Sequence, residues 1–99
     1  MNIIKKPEGT TLNIALEGRL DTTTAPQLEA ELRTAVSGVT ELILDLEKLD
    51  YISSAGLRVL LSAQKVMKRQ GKMTLRRVQP AIMEIFDVTG FVDILDIEE

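Results

Sequence analysis

The passage from Leu42-Ile43-Leu44-Asp45-Leu46 into Gly56, Val59, Leu60, Ala63, Val66 and Met67 constrains the fold of this chain most tightly. The first stretch is a nearly unbroken apolar run of strand length, the pattern expected of a strand covered on both faces. The second set recurs at i, i+3, i+4 and i+7, which makes one buried face of a helix from about Gly56 to Gln70. Between them, Asp50-Tyr51-Ile52-Ser53-Ser54-Ala55 reads as a short loop that brings two hydroxyls to the helix start. At the other end of the helix, Lys65, Lys68 and Arg69 complement the dipole, and Gly71 suits a left-handed cap. With no aromatic residues interleaved, these cations read as a solvated face rather than a basic binding patch.

The flanks complete the pattern. Asn2 to Lys6 and Thr11 to Glu17 are strand candidates joined by the turn formers Pro7-Glu8-Gly9-Thr10, so they should pair as a hairpin. Leu12, Ile14 and Leu16 alternate with Asn13, Ala15 and Glu17, and Gly18 is expected to end the strand. Asp21-Thr22-Thr23-Thr24 then turns into a helix that runs to about Val36. Thr24 with Gln27 fits a capping box, and Pro26 sits in the first turn. Leu28, Leu32, Ala35 and Val36 form its buried stripe, and Gly38 follows as a stop.

Beyond the central helix, Met73 to Val78 alternates as a strand in its first half. Gln79-Pro80 opens a third helix with Ile82, Ile85 and Phe86 inward, closed by Thr89-Gly90. Phe91 to Ile97 reads as a short terminal strand or an apolar segment folded back on the core. This order implies a single α/β domain with a mixed sheet of four to five strands: an N-terminal antiparallel hairpin, parallel crossover units and three to four helices. At 99 residues the chain fits one domain, and it contains no internal repeat.

Composition removes whole classes of chemistry. Neither cysteine nor histidine occurs, which excludes thiol nucleophiles, Ser-His-Asp catalysis and the usual zinc sites; only a carboxylate-bound hard cation stays conceivable. We therefore expect no catalytic residues, no metal and no cofactor. A net charge of −3, a pI near 5 and only one tyrosine and two phenylalanines argue against nucleic-acid binding. No apolar run approaches a membrane span, and the N-terminus lacks the layout of a signal peptide, so the expectation is a cytoplasmic protein.

A serine before a helix ordinarily caps it by accepting a hydrogen bond from a first-turn N–H. Here, however, Tyr51-Ile52-Ser53-Ser54-Ala55-Gly56-Leu57, following Leu44-Asp45-Leu46, resembles the signature of the STAS domain, the family of bacterial anti-sigma factor antagonists. The similarity extends over nearly the whole chain. It implies that the unmodified protein binds an anti-sigma factor of the serine-kinase type and so frees a sigma factor. Phosphorylation on Ser54 by that kinase would end binding, and a serine phosphatase would restore it. The resemblance further implies a partner surface of Asp21, Thr22 and Thr23 together with Ser53, Ser54, Ala55, Gly56, Leu57 and Arg58.

One position departs from the family. Ser53 stands where its antagonists carry an aspartate before the phosphoacceptor, which leaves Ser53 open as the alternative site. Two other functions fit the same residues. One is a STAS adaptor or structural subunit of a signalling or lipid-transport complex without a phosphoswitch. The other is a nucleotide-binding module with phosphate seated on the helix N-terminus, although no glycine-rich phosphate loop with a lysine is present.

Overall fold

In the computed structural model, which describes residues 1–98, Gly9 takes φ +63° and reverses the chain between β1 (Asn2–Glu8) and β2 (Thr11–Leu20). The two strands pair antiparallel from Asn2↔Glu17 to Glu8↔Thr11. The remaining elements are α1 (Ala25–Ala35), β3 (Glu41–Ile52), α2 (Ser54–Gln70), β4 (Lys72–Arg76), α3 (Pro80–Thr89) and a single 3-10 turn at Phe91–Asp93. The four strands lie in the order β1-β2-β3-β4, with β2, β3 and β4 parallel.

Two crossovers that step the same way across a sheet put their helices on the same side. Accordingly Leu12, Ile14 and Leu16 of β2, Leu42, Leu44 and Leu46 of β3, and Met73 and Leu75 of β4 share one core with Leu28 and Leu32 of α1, Leu60 and Met67 of α2, and Ile82 and Phe86 of α3. On the opposite face Asn13, Ala15, Glu17, Ile43, Asp45, Thr74 and Arg76 stay only half-buried. This corrects the expectation that β3 is covered on both sides. Its inward leucines keep the period of two, and Ile43 on the open face, beside Ile97, is what makes the run look continuous.

Gly18 does not end β2. It adopts φ +107°, and the strand continues through Leu20 because β3 accommodates it with register shifts between Ala15 and Glu17 and between Gly18 and Arg19. At each shift β3 carries one residue more than β2, so its inward positions move from every second to every third residue: Leu46, Leu49, Ile52. The stretch from Asp50 to Ile52, expected as loop, is therefore strand, and Ser53 alone separates β3 from α2.

Other local expectations change as well. The Thr24–Gln27 capping box does not form: the Thr24 hydroxyl oxygen accepts from Asp21 N–H at 2.8 Å instead, and its O–H donates to Arg19 O at 2.7 Å. Gly71 is not left-handed, with φ 169° in the extended range; it is glycine because a Cβ there would lie 1.8 Å from Thr40 O. In α2 the buried stripe includes Leu57, whereas Val66 is 40% exposed. At the C-terminus, both readings of Phe91 to Ile97 hold in part. A 3-10 turn is followed by a parallel bridge of Ile97 to Leu75 that covers the β4 edge, with Leu75 N–H donating to Asp96 O at 2.9 Å.

Candidate functional site

The paired ends of β2 and β3 carry the site. Leu20 is fully buried, and its carbonyl accepts a hydrogen bond from Ser53 N–H at 2.9 Å, which ties the Asp21 turn to the start of α2. Gly56 rests directly on Leu20: a Cβ on it would lie 2.7 Å from Leu20 Cγ and 2.9 Å from Ile52 Cγ1. The glycine therefore lets the helix start sit down on the strand ends.

Ser53 and Ser54 have different surroundings. Ser53 is the N-cap, extended at φ −99° and ψ 176°; its hydroxyl accepts from Gly56 N–H at 3.4 Å and its carbonyl from Leu57 N–H at 2.9 Å. Ser54 is the first helical residue and is exposed. Its hydroxyl has no hydrogen-bond partner among the described residues, and its own N–H and that of Ala55 belong to the first turn, whose donors have no helical acceptor. An anionic group on Ser54 would meet the positive end of a 17-residue helix.

On the Asp21 side, the turn is built by its own polar groups. The Asp21 carboxylate accepts from the Thr23 and Thr24 N–H groups, each at 3.0 Å, while the Thr24 hydroxyl accepts from Asp21 N–H at 2.8 Å. The Thr24 N–H bond outweighs partial burial and, helped by Thr23 and by the charge of Arg19, holds the Asp21 carboxyl below the usual carboxylate range. Arg19 Nε lies 3.7 Å from Asp21 Oδ2, and its guanidinium stacks 4.2 Å over the Tyr51 ring.

Of the residues expected at the site, Thr22, Ala55 and Arg58 line one surface cleft together with Pro26 and Glu29. Asp21, Thr23, Ser53 and Ser54 lie along the two joined segments. Gly56 and Leu57 are different: both are buried, so they support the surface without presenting a side chain on it. Arg19, Pro26 and Glu29 were not anticipated. Arg19 meets Tyr51 only as its cross-strand partner beyond two bulges, a register no local spacing reveals.

The profile of the STAS domain matches residues 2–99. This chain belongs to the STAS domain family. Within it, the protein is similar to BtrV of Bordetella bronchiseptica, provisionally named an anti-sigma factor antagonist, with 43% identity over 83% of this chain and 72% of that protein. It is 29% identical to the anti-sigma-B factor antagonist of Bacillus subtilis, over 98% of this chain and 90% of the relative. Among solved structures, the anti-sigma factor antagonist SpoIIAA of Bacillus superposes in its unphosphorylated and phosphorylated forms with a TM-score of 0.77 for both. At 22% identity over 99% of this chain, and 88% and 92% of the respective neighbours, this likeness shows that the STAS fold is shared. The candidate site lies at the carboxyl ends of β2 and β3, the end of an open α/β sheet at which ligands commonly bind.

Proposed function

We propose that this STAS domain is an anti-sigma factor antagonist switched by phosphorylation on Ser54. The carrying observation is the contrast at the helix start: Ser53 is engaged as the cap, whereas Ser54 is exposed with a free hydroxyl. The names of its relatives support the antagonist part of this reading. The protein acts in the cytoplasm as a binding module and as the substrate of a kinase, rather than as a catalyst.

The unmodified chain presents Thr22, Ser54, Ala55 and Arg58 to an anti-sigma factor of the serine-kinase type and releases the sigma factor. Transfer of the terminal phosphoryl group of the kinase's nucleoside triphosphate to Ser54 Oγ, with loss of the hydroxyl proton and release of the nucleoside diphosphate, adds about −1.5 to −2 charges. First-turn N–H groups and the dipole stabilise that charge, so the domain keeps its fold. The partner, however, now meets an anionic group where it packed against a small hydroxyl, on a surface that also carries exposed Asp50. Burying unpaired charge costs several kcal/mol, and about 1.4 kcal/mol is already tenfold in affinity. A serine phosphatase restores the hydroxyl by hydrolysing the phosphoester with water, releasing inorganic phosphate.

Purified anti-sigma factor, titrated against wild type before and after treatment with its kinase activity, tests this reading. Wild type should lose binding on treatment, Ser54→Ala should retain it, and Ser54→Asp should bind about 100-fold more weakly without treatment, equivalent to about 2.7 kcal/mol. Persistent loss of binding by treated Ser54→Ala would move the switch to another residue.

A further inference from the structure

Between α1 and α2 runs an apolar groove of about 320 Å³, lined by Leu32, Val36, Val59, Ala63 and Val66 and closed on the α1 side by the Glu29–Arg33 pair at 3.5 Å. Val66 lies 40% exposed in it, a large apolar side chain left partly in water. The groove shares Glu29 and Val59 with the cleft at Ala55 and Arg58, so the two form one continuous surface that reaches Ala55, the residue after Ser54.

The exposed side of α2 beside the groove has an unusual charge. The helix contains Arg58, Lys65, Lys68 and Arg69 and no acidic residue, in a chain whose net charge is −3. All four cations are exposed, and none takes part in an ion pair among the described residues. At 3.6 residues per turn, Arg58, Lys65 and Arg69 fall within about 40° of one another around the helix. Ser62 separates that row from Val66. The cationic row therefore runs beside the apolar floor, with Ser62 between them.

We infer that this groove receives an acidic amphipathic helix of the anti-sigma factor, an assignment that rests on the function proposed above. Its apolar side packs on Val36, Val59 and Val66, and its carboxylates face Arg58, Lys65 and Arg69. The charge pattern disfavours a second copy docked α2 against α2, since that two-fold contact would set the two cationic rows against each other. Affinity then comes from the whole groove, while the phosphate on Ser54 acts at one end of it.

The test uses positions away from the switch. Lys65→Glu with Arg69→Glu, and separately Val66→Glu, change exposed side chains, and an unaltered thermal midpoint certifies the fold. Against purified anti-sigma factor, each should weaken binding at least tenfold, and the double reversal should flatten its salt dependence. Lys65→Arg with Arg69→Lys should bind as wild type. Affinity of both disruptive variants within twofold of wild type overturns the groove assignment even if Ser54→Asp abolishes binding. Weakening by the groove variants while Ser54→Asp binds normally leaves the groove standing and removes the switch. Concentration-dependent dimerisation of wild type that Val66→Glu abolishes, or flotation with phosphatidylglycerol vesicles that the double reversal abolishes, would assign the face to a second copy or to a lipid surface and overturn the proposal.

Discussion

Ser53 and Ser54 are neighbours in sequence, yet one hydroxyl is part of the fold and the other is not. Removing the Ser53 hydroxyl leaves Gly56 N–H without its acceptor, so Ser53→Ala should cost about 1 kcal/mol, the usual worth of an N-cap. Ser54→Ala, at an exposed first-turn position, should stay within about 0.5 kcal/mol of wild type. Urea denaturation of the two variants measures the difference, and equal effects would contradict the division of roles. Two glycines give a second residue-scale prediction. Gly56→Ala drives a methyl into the Leu20 and Ile52 side chains and should cost about 1–3 kcal/mol, the range of overpacked cores. Gly71→Ala meets the backbone carbonyl of Thr40, which has less freedom to yield, so its loss in the same denaturation series should be the larger.

At the scale of elements, the site depends on two strands that overrun their apparent ends. Leu20 closes β2, is fully buried and lies under Gly56, so Leu20→Ala should cost about 2–5 kcal/mol and loosen the start of α2. Hydrogen exchange of the Ser53 and Gly56 amides should accelerate more in this variant than that of β1; uniform acceleration would mean that Leu20 serves only the global core. The same strands show what was legible in the sequence. The regular hairpin, the α2 stripe and the serine cap position follow from local periodicity, and each stands in the structure within a few residues. The ends of β2 and β3 did not follow, because two bulges replace alternation with the three-residue spacing Leu46, Leu49, Ile52. Val66 was assigned to the core from its helical phase alone, whereas the space beside it is the groove that α1 leaves open. Tertiary spacing between helices is not encoded in the period of one of them.

For the whole molecule, the sheet is covered on one face only, and its open face is held by charge. On it Arg77, at φ +53°, donates to both oxygens of Asp45 and lies 3.3 Å from Glu47. Burial works to raise the Asp45 pKa, but the Arg77 hydrogen bonds, the Glu47 N–H and the neighbouring guanidinium charges together carry it below the usual value. Asp21 is lowered too, by the Thr24 N–H above all. Both carboxyls bind protons less readily in the folded chain than in the unfolded one. Their stabilisation is therefore complete above about pH 4, near the unfolded value, and is lost as the pH falls through the lower folded values. Thermal midpoints should drop through this acid window, and Asp45→Asn with Asp21→Asn should flatten the drop; an unchanged profile in the double variant would assign acid sensitivity to other groups.

A switch on Ser54 needs, near neutral pH, a fold indifferent to the modification and a surface that is not. Phosphosite mapping by mass spectrometry on the protein isolated from its native cells, growing and stressed, tests this most directly. Phosphate is expected on Ser54, with an occupancy that changes between the two conditions. Phosphate confined to Ser53, or neither serine modified in any condition, would contradict it.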